Sequence, residues 1–229
     1  MLFRSLAAVA VLLVAFVRRS FVAASPLLDI SLLRIRGYRA NIVAGVLQQA
    51  SFFGWFLTAP LVMHNVWGWD GWHIAAGLFL SQITSSIGSP LTGPMVERMG
   101  GAVTVSLGAV LNALGAAGLV FVLPMTSGSF AAFIPCALLV GFGCSICGTA
   151  TSGVALSYIP THDLGAANSL QQLVRRMGGA LGVAAAVGLL GEADGRDMLP
   201  GAQRAWALSA VLVALLIVPV MRARRAPVR

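Results

Sequence analysis

The sequence predicts an all-α fold that crosses a lipid bilayer several times, and three observations predict it. Of 229 residues, 58% are hydrophobic and only 10% are charged, against about 25% charged in an ordinary soluble domain. The apolar residues gather into long runs, many near the ~20 residues that a helix needs to cross ~30 Å of hydrocarbon. The arginines fall in alternate gaps between those runs. Strands are excluded, because the runs are dense in Ala, Leu and Val without alternation. In lipid, an open sheet edge would also leave backbone groups unpaired.

Seven spans follow in chain order: Leu2–Val17, Ile42–Val66, Ile74–Thr92, Ala102–Leu123, Phe130–Tyr158, Ala166–Leu190 and Ala205–Met221. The first is short, about 24 Å of helix against ~30 Å of hydrocarbon, and reads as a truncated helix. Arg18 and Arg19 follow its apolar run instead of leading it, the wrong way round for a secretory signal. Between the first two spans, Leu27, Leu28, Ile30, Leu32, Leu33 and Ile35 alternate with Asp29, Arg34 and Arg36. That pattern predicts an amphipathic element on the inner membrane surface. The chain thus divides into residues 1–38, a leading transmembrane helix with its linker, and residues 39–229, a six-helix bundle. Pro90, Pro94 and Pro160 fall at span ends, where they kink or stop helices. The last span is uniformly apolar and suits a lipid-facing outer helix.

All 15 basic residues are arginine, and the net charge is +8. No soluble basic face exists to carry a nucleic acid, so none is predicted as a partner. Membrane-side loops explain the arginines instead. With the end of span one inside, Arg18, Arg19, Arg34, Arg36, Arg39, Arg98, Arg175, Arg176, Arg222, Arg224, Arg225 and Arg229 lie inside. Arg4, Arg196 and Arg204 lie outside. This asymmetry puts the amino end outside and the carboxyl tail in the cytoplasm. Trp67, Trp69 and Trp72 then form an outer aromatic belt.

Arg175 and Arg176 open a run of uncharged residues and are expected at, or just below, the inner membrane boundary. Adjacent helical residues point about 100° apart. The row Asn168, Gln171, Arg175, Gly178, Gly182 is polar and then small, so Arg175 faces other helices. Arg176 faces headgroups. Gly178 and Gly182 form a G-x-x-x-G that permits close helix approach. Two readings of Arg175 stand side by side: a topology anchor, or a gating or ion-pair residue. Cys136, Cys144 and Cys147 read as small buried helix residues, since a redox reading of the C-x-x-C needs a βαβ context that is absent.

Several stretches resemble one family. "SPLLDISLLRIRGYRANIVAGVLQQASFFGWFLTAPLVMHNVWGW" resembles the interhelix linker and following helix of the fourteen-helix drug:proton antiporter branch of the major facilitator superfamily. "GFGCSICGTATSGVALSYIPTHDLGAANSLQQLVRRMGGALGVA" resembles two later helices and their loop. "GPMVERMGG" resembles the loop motif G-x-L-a-D-r-x-G-r-r, with Glu97 in place of Asp and Gly101 and Ala102 in place of basic residues. The resemblance implies that residues 39–229 are a carboxyl-terminal half-bundle, and that the amino-terminal half lies outside this chain. The chain then reads as a fragment, a split subunit or a decayed gene product.

The resemblance also implies that spans two and five line a cavity. Candidate substrate-binding residues are Gln48, Gln49, Phe52, Trp55 and Phe56 on span two, with Gln82 on span three. Glu97, Arg98 and Arg175 are candidates for gating or ion pairing. Such a pocket suits small lipophilic, often cationic, molecules. Asn112 and Gln171 are read as interhelical hydrogen-bonding amides. All seven acids, Asp29, Asp70, Glu97, Asp163, Glu192, Asp194 and Asp197, fall in loops or at membrane boundaries. Proton relays use buried carboxylates or histidines, so a proton-coupling residue is expected in the other half.

No phosphate loop, nucleophile triad or metal cluster appears. The chain is predicted to be no enzyme, with no cofactor and no metal. Its expected partners are the lipid bilayer, a small substrate, and either a missing amino-terminal half-bundle or a second copy. Multidrug-type efflux, inactive in this chain alone, is the first functional expectation. A non-transporting membrane protein that assembles with other partners is the second.

Overall fold

The computed structural model describes residues 30–125, 130–191 and 195–224. The first predicted span and most of the linker lie outside them. Six long helices fill the described residues: α1 (Arg36–Asn65), α2 (Gly71–Met99), α3 (Gly101–Met125), α4 (Phe130–Leu156), α5 (Leu164–Leu190) and α6 (Leu199–Arg224). They match predicted spans two to seven, and no strand occurs among the described residues.

Five of the six are long and apolar enough to cross a membrane, and α2 is the exception among them. It has the length, 29 residues, but hydroxyls dilute it. Those hydroxyls are satisfied locally: Ser81 donates to the Leu78 carbonyl, Ser86 to Gln82 and Thr92 to Gly88. Such back-bonding lets a polar sequence remain helical in lipid. Pro90 and Pro94, expected at a span end, lie inside α2 instead. The helix runs through both and stops at Gly100, whose φ of 83° is open to glycine.

α1 and α4 are central. α1 packs on α4, α5 and α6, α4 on α1, α2 and α3, and α3 on α6. Bilayer helices gain little from water exclusion among themselves, so small residues must bring backbones together. The predicted G-x-x-x-G does this. A Cβ on Gly178 would meet the Val46 carbonyl oxygen at 2.7 Å, and one on Gly182 would overlap the Ala50 carbonyl. Hydroxyls add crosslinks: Ser51 donates to the Ser209 carbonyl at 2.9 Å, and the Trp206 indole donates to Thr58 at 2.6 Å.

The ends of the bundle differ. Arg34, Arg36, Arg39, Arg98 and Arg222 gather at one end. There Tyr38 donates to the Ala167 carbonyl at 2.6 Å, tying α1 to α5. The described part of the linker is a 3₁₀ turn, Ile30–Arg34. Leu32 is buried among Tyr38, Ile42, Ala155 and Ala167. Its apolar face therefore covers the end of the bundle itself, where a membrane surface was expected.

The opposite end corrects the aromatic belt. Trp69 is buried and packs on Phe130 and Phe133. Trp67 is half-buried beside it. Only Trp72, 79% exposed, projects as an anchor would. Asp70 caps α2 by accepting the His73 amide at 2.9 Å. That bond, reinforced by the His73 ring, holds the Asp70 carboxyl below its ordinary pKa.

The amide pair Asn112 and Gln171 also departs from expectation. Both are buried, yet Asn112 Nδ2 and both amide atoms of Gln171 find no hydrogen-bond partner among the described residues.

Replacing Gly182 by Leu forces α1 and α5 apart and costs about 1–3 kcal/mol. Gly188→Ala, which meets nothing within 4 Å, does not. Thermal aggregation in detergent separates the two variants. A lowered native pKa means the Asp70 contribution is complete above the ordinary carboxylate pKa and lost as pH falls through the native value. Amide exchange at His73, corrected for its intrinsic rate, quickens over that acid range, and Asp70→Ala abolishes the pH dependence.

Candidate functional site

A cleft of about 550 Å³ opens between α1, α4 and α5, with Gln48, Gln49, Phe52, Gly148, Ser152 and Arg175 in its wall. Helical spacing assembles it. Gln48 and Phe52 are one turn apart on α1, and Cys144, Gly148 and Ser152 form one i, i+4 row on α4. Two glycines make room for the arginine. A Cβ at Gly45 would stand 3.2 Å from Arg175 Cγ, and one at Gly148 would stand 3.5 Å from Nη2.

Arg175 is half-buried and Arg176 exposed, the division that their 100° separation predicts. Between outward reach to headgroups and inward reach to other helices, the structure shows the inward one. Arg175 lies eleven residues into α5, about 17 Å along its axis, and its head turns inward to neighbouring helices. Nη2 donates to Gln48 Oε1 at 3.1 Å and to Gln49 Oε1 at 3.4 Å. Nη1 donates to Ser152 Oγ and to the Gly148 carbonyl, the latter at 3.5 Å. Gln48, 2% exposed, passes the chain on: its Nε2 donates to Cys144 Sγ at 3.0 Å. This fixes which end of the Gln48 amide faces the arginine.

Every acceptor in that set is neutral. A charge withdrawn from water needs compensation; here it comes from two amides, a hydroxyl and a backbone carbonyl. Among the residues that line the cleft, none is acidic. Hydrogen bonds to a charged group contribute about 1.5–3 kcal/mol each, so the cluster holds Arg175 in place without an ion pair.

The structure brings together four of the predicted residues: Gln48, Gln49, Phe52 and Arg175. Phe56 extends the site, its ring stacked on Phe52 at 5.7 Å. Trp55 does not face the cleft. It is 2% exposed and packs in the core at the tryptophan end, because at 100° per residue it points about 60° from Phe52 and 100° from Phe56. Gln82 is exposed on α2, away from the cleft lining. Glu97 and Arg98 are exposed at the arginine end. Neither forms an ion pair with the other or with Arg175 among the described residues. The motif loop and the cleft are thus separate places. Sequence reasoning missed Cys144, Gly148, Thr149 and Ser152. The signal was present as a small, polar row on an otherwise apolar helix.

A family model described as Major Facilitator Superfamily matches residues 3–183 and, in a second overlapping match, residues 42–228. The chain belongs to this superfamily and is a multi-pass membrane protein. Within it, the chain is similar to proteins of resistance and export. It is 28% identical over 197 residues to the tetracenomycin C resistance and export protein of Streptomyces glaucescens, covering 85% of this chain and 36% of that one. It is 26% identical over 165 residues to the multidrug resistance protein Stp of Mycobacterium tuberculosis, covering 71% of this chain and 30% of Stp. A multidrug resistance protein B homolog from the same organism is 27% identical over 178 residues, 76% of this chain and 32% of its own length. The chain spans about a third of the length of these relatives.

Proposed function

We propose that this chain supplies one of the two bundles of an efflux permease. The cleft between α1, α4 and α5 forms half of its substrate pathway. The observation that carries this reading is the Arg175–Gln48–Gln49–Ser152 cluster, opening into an aromatic-flanked cleft between three helices. A charged side chain that a membrane helix turns toward its neighbours marks a pathway more often than a packing contact. Family membership and the export names of three relatives point the same way.

In this reading residues 1–38 are the leading helix and linker, and residues 39–229 are the bundle. Alternating access rocks one bundle against another around a central site. The chain therefore works with an amino-terminal half-bundle or with a second copy, and alone it exports nothing. The substrate is a small lipophilic molecule, held by the Phe52 and Phe56 rings and oriented by the amides. Proton exchange drives export, with the titrating carboxylate on the other bundle. The arginine end faces the cytoplasm of a bacterial membrane, and the tryptophan end faces outward.

Drug accumulation measures this directly. In cells lacking homologous bundles, residues 1–229 alone leave accumulation unchanged. Supplying a family amino-terminal bundle lowers it, and Gln48→Ala with Phe52→Ala reverses that gain. Export by residues 1–229 alone overturns the half-bundle reading. Phosphatase reporters fused after Asp70 or Gly195 are active outside, and one fused at the tail is inactive. A cytoplasmic signal from the Gly195 fusion overturns the orientation.

A further inference from the structure

The charge of the substrate can be read from which hydrogen-bonding groups in the cleft are already used. The acceptors that face Arg175 are engaged by it, and the Thr149 hydroxyl in the same wall lies 3.4 Å from Ser89 Oγ. Gln48 and Gln49 both turn their amide oxygens to Arg175. Ser152 and the Gly148 carbonyl accept from the same guanidinium. The Ser145 hydroxyl donates away from the cleft, to the Ser85 carbonyl at 2.6 Å. What remains open is donor and cation. A guanidinium offers five N–H groups in a planar fork, and the bonds here use only Nη1 and Nη2, two of them at 3.4 and 3.5 Å. The Nε2 of Gln49 carries no bond in the cluster.

No acid balances this. None of the cleft-lining residues carries a carboxylate. The described acids stand elsewhere. Asp163 precedes the first turn of α5, Glu97 lies in the last turn of α2, and Asp70 and Asp197 lie at the tryptophan end. Asp163 is already paired with His162 at 3.2 Å. A fixed cation entering the cleft meets a positive wall with nothing nearby to offset it. An oxyanion meets an arginine whose planar fork suits a carboxylate, with Phe52 and Phe56 beside it for an aromatic ring.

We infer that the cleft selects a lipophilic molecule bearing an oxyanion, such as a carboxylate, phenolate or enolate, that docks against Arg175, and that it disfavours fixed cations. This rests on the reading of the cleft as the substrate pathway.

The test uses the full chain, paired in lipid nanodiscs with a family amino-terminal bundle, and three ligands that share one ring: 9-anthroate, (9-anthracenylmethyl)trimethylammonium and neutral 9-methylanthracene. Binding is read by fluorescence, with empty nanodiscs subtracted. 9-Anthroate is expected to bind about tenfold more tightly than the ammonium, as charge complementarity requires. Arg175→Gln reduces that ratio to near one while 9-methylanthracene still binds, which shows that the cleft remains folded. Arg175→Lys retains most of the preference, so the result stands on a second variant. Equal or tighter binding of the ammonium overturns the inference and leaves the efflux reading intact. A preference that survives Arg175→Gln also overturns it. Failure of all three ligands to bind removes both the inference and the cleft as a substrate site.

Discussion

Contact between helix backbones at small residues is the constraint on which this bundle depends. In lipid, apolar side chains gain little by leaving one hydrocarbon environment for another, so helices must hold one another by close packing and polar bonds. The sequence meets this with 26 glycines. Gly178 and Gly182 set α5 against α1, while Gly108 and Gly143 bring α3 and α4 into backbone contact. Where glycines meet backbone, the bundle closes. At Gly45 and Gly148 the neighbour is a side chain, that of Arg175. The same device that shuts the bundle therefore also makes room for the inward-turned Arg175.

That arginine is held by dipoles. An ion pair inside the bundle would cost the desolvation of two charges, and its attraction repays this only with near-ideal geometry. Gln48, Gln49, Ser152 and Gly148 desolvate no second charge, and each contributes a lone pair. The arrangement leaves the positive potential of Arg175 intact at the mouth of the cleft. Gln48 is the keystone of the cluster, since its two amide ends bind Arg175 and Cys144 at once.

The helices themselves were plain in the sequence, because hydropathy and arginine spacing are one-dimensional signals. Spans two to seven correspond one for one to α1–α6, and the pairing of Gly178 with Gly182 followed from spacing. The directions of Arg175 and Arg176 followed too, since helical geometry fixes them. Depth did not. A long arginine can reach outward to headgroups or inward to amides, and only the position of Gln48 and Ser152 on other helices decides between them. Trp55 shows the same limit: its type suits a cavity, but its face of α1 is the buried one. Pro90 and Pro94 looked like stops because local rules treat proline as one; within a bundle, neighbouring groups let α2 continue. Asn112 and Gln171 read as amides bonded between helices, yet side-chain pairing across helices has no signature in a single sequence.

Under the proposed exchange of drug for protons, the cleft's chemistry divides the labour between the two bundles. A guanidinium keeps its proton in proteins, so Arg175 supplies a constant field and cannot carry the coupling proton. No acid lines the cleft to do so. The group that titrates must therefore stand outside the cleft lining. Linkage limits where it can be. A carboxylate paired with Arg175 would take up a proton as an oxyanion displaced it, so proton and substrate would bind together, the sign of symport. Exchange needs the opposite sign, and therefore a titrating group that does not share the guanidinium with the substrate.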